Sequence, residues 1–161
     1  MDPIALARAQ WERRGWGDAA EGMAAVTSVM RAQQILQARV DGVLKPFDLT
    51  FARYEVLMLL HLSSRGSMPV GKASARLQVH PTSITNAVDR LAAAGLVVRR
   101  RHPTDGRVTL VAVTEEGRRL ALAATDALNA DVFASPGLSA RRVRTLVSVL
   151  EDLRRDAGDF G

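Results

Sequence analysis

Between Val70 and Val113 the apolar pattern changes period in a way that few folds accommodate. Two short segments, residues 70–77 and 81–94, read as helices, and only Gln78, Val79 and His80 separate them. Pro81 suits the first position of a helix, where its missing N–H is no loss, and Gly95 suits the stop. The period then shortens. Residues 96–101 and 108–113 are rich in β-branched and basic side chains, and His102-Pro103-Thr104-Asp105-Gly106-Arg107 joins them, so a β-hairpin is expected. Two short helices in tandem with a hairpin directly behind the second are the parts of a winged helix-turn-helix.

The second helix can be tested by geometry. At about 100° per residue, Ile84, Ala87, Val88 and Leu91 share one face and should pack inward. The opposite face carries Thr82, Asn86, Asp89 and Ala93, flanked by Ser83 and Arg90. These side chains are small or polar, so the helix fits a major groove about 12 Å wide. Asn pairs with adenine, Arg with guanine, and Ser and Thr with bases or phosphates. Thr82, Ser83, Asn86 and Arg90 are therefore the candidate contacts of a recognition helix, though Arg90 could instead pair with Asp89 or Asp105. His80 is a candidate N-cap of that helix.

On the hairpin, Arg101, His102 and Arg107 are the candidate wing contacts. An arginine on a protruding loop is drawn into a narrow minor groove by its negative potential. Asp105 would be repelled by phosphates, so it is read as support for the turn, orienting Arg107 or closing the loop through its own backbone.

Charge agrees with this placement. The chain of 161 residues has a net charge of +5. Residues 71–119 hold nine basic and four acidic side chains, and the rest holds 13 of each, so the whole excess lies in less than a third of the sequence. Such a localised patch suits a phosphate-bearing partner.

The flanks read as helical. Residues 18–44 place Met23, Val26, Met30, Val40 and Leu44 at helical intervals, and Pro46 ends the run. Thr50 is a plausible N-cap for an apolar helix over 51–64, followed by a turn over 63–69. Thr114 should cap a helix reaching about Phe133, with Glu115 and Glu116 in its first turn, where negative charge suits the dipole. After Ser135-Pro136-Gly137, Leu138, Ser139 and Val143 form an expected cap and staple for a last helix. Val143, Leu146, Leu150 and Leu153 make a coiled-coil-like seam along it. Met23, Met30 and Met58 are read as core, and His61 as structural.

Other chemistries find little support. There is no cysteine, which removes disulfides, thiol nucleophiles and thiol redox sensing. The three histidines have no metal-ligand spacing, and no nucleophile elbow or phosphate-cradling glycine loop is present. Neither enzyme activity nor a cofactor or metal is expected. No run approaches the roughly 18 apolar residues of a membrane span, and no secretory signal is visible, so a cytoplasmic location is expected.

The run from Leu49 to Gly117, above all "AVDRLAAAGLVVRR" and "DGRVTLVAVTEEG", resembles the MarR family of bacterial transcription factors. The likeness lies in the recognition-helix exit, the Asp-x-Arg wing and the Thr-x-x-Gly helix start. It implies a mainly α fold with a small β-hairpin wing, flanked by N- and C-terminal dimerisation helices. Residues 1–17 would be a helical arm, 18–47 and 115–161 the dimerisation region, and 48–114 the DNA-binding region. The family implies a homodimeric repressor on double-stranded DNA with a palindromic operator. It also implies release by a small anionic or aromatic effector bound between the dimerisation helices and the DNA lobe. Two departures stand out: Gly106 where the wing often has an arginine, and Ala73 where the first helix usually has leucine. Trp11 and Trp16, beside Arg13 and Arg14, are a candidate site for an aromatic anion, resembling a urate-sensing branch of the family. The alternative is that they pin the arm across the dimer. A winged helix serving protein–protein contact without specific DNA binding is the rival reading. Apolar or aromatic anchors would be expected on such a face, and none lies on the outer face of residues 81–94.

Overall fold

The structure, a computed structural model, describes residues 1–105 and 107–160. Two compact units divide the chain, residues 1–51 and 52–161. In the first, α1 (Pro3–Arg13) is followed by α2 (Gly17–Leu44) and a 3-10 turn, Lys45–Phe47. Asp2 caps α1 by accepting the Ile4 N–H at 3.0 Å, with Pro3 at the first position, where no donor is lost. The break after α1 turns on Gly15, whose φ of 84° is a left-handed conformation that glycine adopts without strain. Ala20 is buried on α2, and Arg8 reaches Glu21 at 2.7 Å to tie the two helices. Much of α2 is uncovered: Val26 and Met30 are 60% and 65% exposed. Met30 is therefore not a core residue of the single chain, since the α2 face that bears it is left uncovered among the described residues.

The second unit runs α3 (Phe51–Leu62), β1 (Ser67–Pro69), α4 (Val70–Leu77), α5 (Pro81–Ala93), β2 (Val97–Arg101), β3 (Thr109–Val113), α6 (Glu115–Leu128), a π turn at Asn129–Phe133, and α7 (Ala140–Asp156). The sheet is antiparallel with order β1-β3-β2. Val97 pairs with Val113 and Arg101 with Thr109 in the hairpin that the sequence led us to expect between these two runs. The third strand is a correction. Ser67 to Pro69, read from sequence as turn, pairs with Ala112, Val111 and Leu110. Three residues are too few to show a period, and only pairing with β3 makes them a strand.

The core of this unit is aliphatic. Val56, Leu57 and Leu60 of α3 are buried, as are Ile84, Val88 and Leu91 of α5, Val97 and Val111 of the sheet, and Ala121, Ala124 and Leu128 of α6. Ala73, one of the two departures noted in the sequence, is buried as well. Tyr54 is buried with its hydroxyl 3.0 Å from that of Thr125, which satisfies the polar end of an otherwise apolar ring. His61 has its Nδ1 3.2 Å from the Arg118 guanidinium, which gives it a structural partner. Ser139 stands at the N-cap of α7 with extended backbone, but its hydroxyl makes no capping bond. The residues of α7 remain largely uncovered, with Leu146 42% and Leu153 57% exposed.

At the end of α7 a small polar cluster meets the helix-turn-helix. Gln78 ends α4 in a left-handed conformation, φ 53°, which costs a residue with a Cβ. Its side chain is held from both ends. Arg154 donates to Gln78 Oε1 at 3.0 Å, and Gln78 Nε2 donates to the carbonyl of Asp159.

A candidate nucleic-acid interface on the winged helix

Helix α5 begins where His80 Nδ1 accepts the Thr82 N–H at 3.2 Å, so His80 is its N-cap. Burial then sorts the helix by face. Ile84, Ala87, Val88 and Leu91 are buried, and Thr82, Ser83, Asn86, Asp89, Arg90 and Ala93 are exposed. The side-chain polar groups of Thr82, Ser83 and Asn86 have no hydrogen-bond partner among the described residues, so they are available to a ligand. Arg90 pairs with neither Asp89 nor Asp105. Asp89 is taken instead by Arg99 of β2, 2.7 Å away. Sequence spacing could not reveal this pair, because it depends on β2 returning beside α5.

Position is fixed at the exit of α5 by three consecutive contacts. Leu96 N–H donates back to Leu91 at 2.9 Å, and the Leu96 carbonyl accepts from the Thr114 N–H at 3.1 Å. Thr114 Oγ1 accepts the Gly117 N–H at 3.0 Å, capping α6. A Cβ on Gly117 would lie 2.0 Å from the Leu96 carbonyl oxygen. Thus the Thr-x-x-Gly run is the joint that seats α6 against the turn after the recognition helix.

The wing is held by its own backbone. His102 N–H donates to Val108 at 3.1 Å, and Asp105 Oδ1 accepts the Arg107 N–H at 3.1 Å. Asp105 therefore closes the loop through the backbone. Gly106 lies outside the described residues. His102 is half-buried and its Nδ1 takes the Thr104 N–H at 3.3 Å, while Arg101 and Arg107 are exposed.

The charge pattern sharpens once pairs are assigned. Of the nine basic residues in 71–119, Arg99, Arg118 and Arg119 face acids, at Asp89, Glu115 and Glu116. Lys72, Arg76, Arg90, Arg100, Arg101 and Arg107 are exposed without an ion pair among the described residues. The second unit thus carries an exposed polar helix face, a basic hairpin and cations without an ion pair among the described residues, features that suit duplex DNA. Trp11 and Trp16 belong to the first unit. They stack edge to face with ring centres 5.4 Å apart, and Trp16 is 55% exposed.

Among the described residues, no helix is long and apolar enough to cross a membrane. Comparison with known proteins places this geometry. The family model described as "MarR family" matches residues 47–108. HTH-type transcriptional regulator MT0903.1 of Mycobacterium tuberculosis is 37% identical over 133 residues, 83% of this chain and 84% of that one. A shorter match, to the uncharacterized HTH-type regulator YhbI of Bacillus subtilis, is 37% identical over 50% of this chain and 51% of that one. Among solved structures, Sco5413, a MarR family transcriptional regulator from Streptomyces coelicolor, superposes with a TM-score of 0.78. It is 49% identical over 87% of this chain and 97% of that one. CouR from Rhodococcus jostii, solved with p-coumaroyl-CoA, gives 0.66 at 30% identity over 78% of this chain and 87% of its own. The chain belongs to the MarR family and is a winged helix-turn-helix, DNA-binding transcriptional regulator, not an enzyme.

Proposed function

We propose that the protein acts in the cytoplasm as a homodimeric repressor that binds a palindromic operator and is released by a small anionic or aromatic effector. The observation that carries the DNA half is the outward face of α5, where the side-chain polar groups of Thr82, Ser83 and Asn86 and the guanidinium of Arg90 have no partner among the described residues. In this reading those four side chains contact bases or phosphates, and Arg101, His102 and Arg107 contact DNA from the wing. Asp105 keeps the wing loop closed. Residues 48–114 form the DNA-binding region, 18–47 and 115–161 the dimerisation region, and 1–17 an arm.

The dimer reading rests on two uncovered apolar stripes. On α2 these are Val26, Val29 and Met30; on α7 they are Leu146, Val147 and Leu153, each at least 42% exposed. Burying such surface is worth about 25 cal/mol per Å2, so a second copy is the natural cover. Two-fold symmetry then requires half-sites about 10 bp apart, or a multiple of that. The effector reading is supported by CouR, which was solved with p-coumaroyl-CoA. Trp11 and Trp16 are its candidate residues in this chain.

Gel-shift titration against the DNA upstream of the protein's own gene, at two salt concentrations, tests the proposal. Tight binding to a palindrome that weakens steeply with salt is expected, since phosphate neutralisation releases counterions. Binding that is indifferent to salt, or lost on every duplex, would return the winged helix to the protein–protein reading.

A further inference from the structure

The second unit contains a groove of about 810 Å3 between α4, β1 and the root of the wing, and no residue of α5 lines it. Arg65, Lys72, Arg76 and His102 line it, with Thr104 and the apolar edge of Leu110. No aspartate or glutamate is among its lining residues, and none of its three full cations has an ion pair among the described residues. Lys72 and Arg76 stand one helical turn apart on α4, where like charges repel. His102 Nδ1 already accepts the Thr104 N–H, so the neutral ring carries its proton on Nε2 and offers a further donor. Donors, uncompensated charge and a volume in the range of ligand pockets meet in one place.

We propose that this groove is an anion site, separate from the base-reading face of α5, and that it takes a phosphate group on Lys72, Arg76 and Arg65. The phosphate comes either from a free phosphate ester or from the backbone of bound DNA, and only the second source rests on the DNA reading above. His102 serves in this groove as a donor at the wing root, so an occupant would bear on wing position.

The test uses the full chain and the double variant Lys72→Gln/Arg76→Gln, with Arg65→Gln as an independent variant. Inorganic pyrophosphate is titrated calorimetrically, and the salt dependence of binding to a short random-sequence duplex is measured in parallel. All three side chains are exposed, so unchanged thermal melts are expected for the variants. Pyrophosphate binding that weakens tenfold or more in the variants, with an unchanged salt slope on DNA, assigns the site to a free phosphate ester. A slope reduced by about two in the double variant assigns it to backbone phosphates. Pyrophosphate binding that survives both variants overturns the proposal, as does absence of pyrophosphate binding together with an unchanged slope. If the wild-type chain binds no duplex at any salt, the DNA reading fails while the pyrophosphate titration still decides the groove.

Discussion

Replacing Gly117 by alanine puts a methyl carbon 2.0 Å from the carbonyl oxygen of Leu96 and 2.9 Å from its carbonyl carbon. A comfortable carbon–oxygen contact is about 3.3 Å or more, so one backbone must retreat by roughly 1.3 Å. The backbone that must move is pinned. Leu96 is 8% exposed, and its carbonyl accepts from both the N–H and the hydroxyl of Thr114, each at 3.1 Å. Overpacking of this kind costs about 1–3 kcal/mol, and each weakened hydrogen bond adds about 0.5–1.5. A loss of about 2–6 kcal/mol follows, equivalent to a drop in Tm of roughly 4–24 °C for a chain of this size. The assay is a circular-dichroism melt at one fixed protomer concentration, because the Tm of the proposed dimer would depend on concentration. Gly71→Ala is the control: it too lies in a helix, and nothing stands within 4 Å of its added Cβ. It should melt with the wild type or slightly above it, since alanine is the better helix former. Gly117→Ala melting with Gly71→Ala would refute the argument that close approach, and not conformational freedom, demands glycine here. A second consequence can be read on DNA. Leu96 sits in the turn that leaves α5, three residues after the helix ends, so the surviving folded fraction of Gly117→Ala should also bind more weakly.

Other perturbations reach other parts of the molecule. Arg107→Ala should weaken operator binding by about 1–3 kcal/mol in a gel shift while leaving the dimer intact, and an unchanged affinity and salt slope would remove Arg107 from the interface. Leu146→Asp or Leu150→Asp should dissociate the dimer, because a second copy would have to bury an unpaired charge; a full-affinity dimer on sedimentation would contradict this. Burial raises the Glu55 carboxyl above its ordinary 4.5. The folded state then holds that proton more tightly than the unfolded chain, so the associated stability is present below the unfolded value and is lost as pH rises through the raised one. Glu55→Gln should remove that loss and raise stability at neutral pH relative to the wild type, and coincident pH–stability curves would refute it. Arg154→Ala frees one end of the Gln78 side chain and should speed amide exchange at residues 78–80, with a stability cost under about 1 kcal/mol for so exposed a contact; unchanged exchange would mean the turn holds itself.

The sequence alone determined what local periodicity and local chemistry control. The inward face of α5 at Ile84, Ala87, Val88 and Leu91, the Pro81 start, the Thr114 cap and the β2–β3 hairpin were all legible because each is written within a few residues. So was the basic excess of residues 71–119, because charge counts need no coordinates. Tertiary structure decided whatever joins residues distant along the chain. Ser67–Pro69 is a strand only because β3 is there to pair with it. Asp89 is committed to Arg99 only because β2 folds back beside α5, while Arg90 has no ion pair among the described residues. Gly117 is hemmed in by a carbonyl 21 positions earlier, and Arg65, Lys72 and Arg76 share a groove with His102 only once α4 lies under the wing. Periodicity reports which face of an element is apolar, but pairing and close approach are properties of two elements at once, and only the folded chain brings those together.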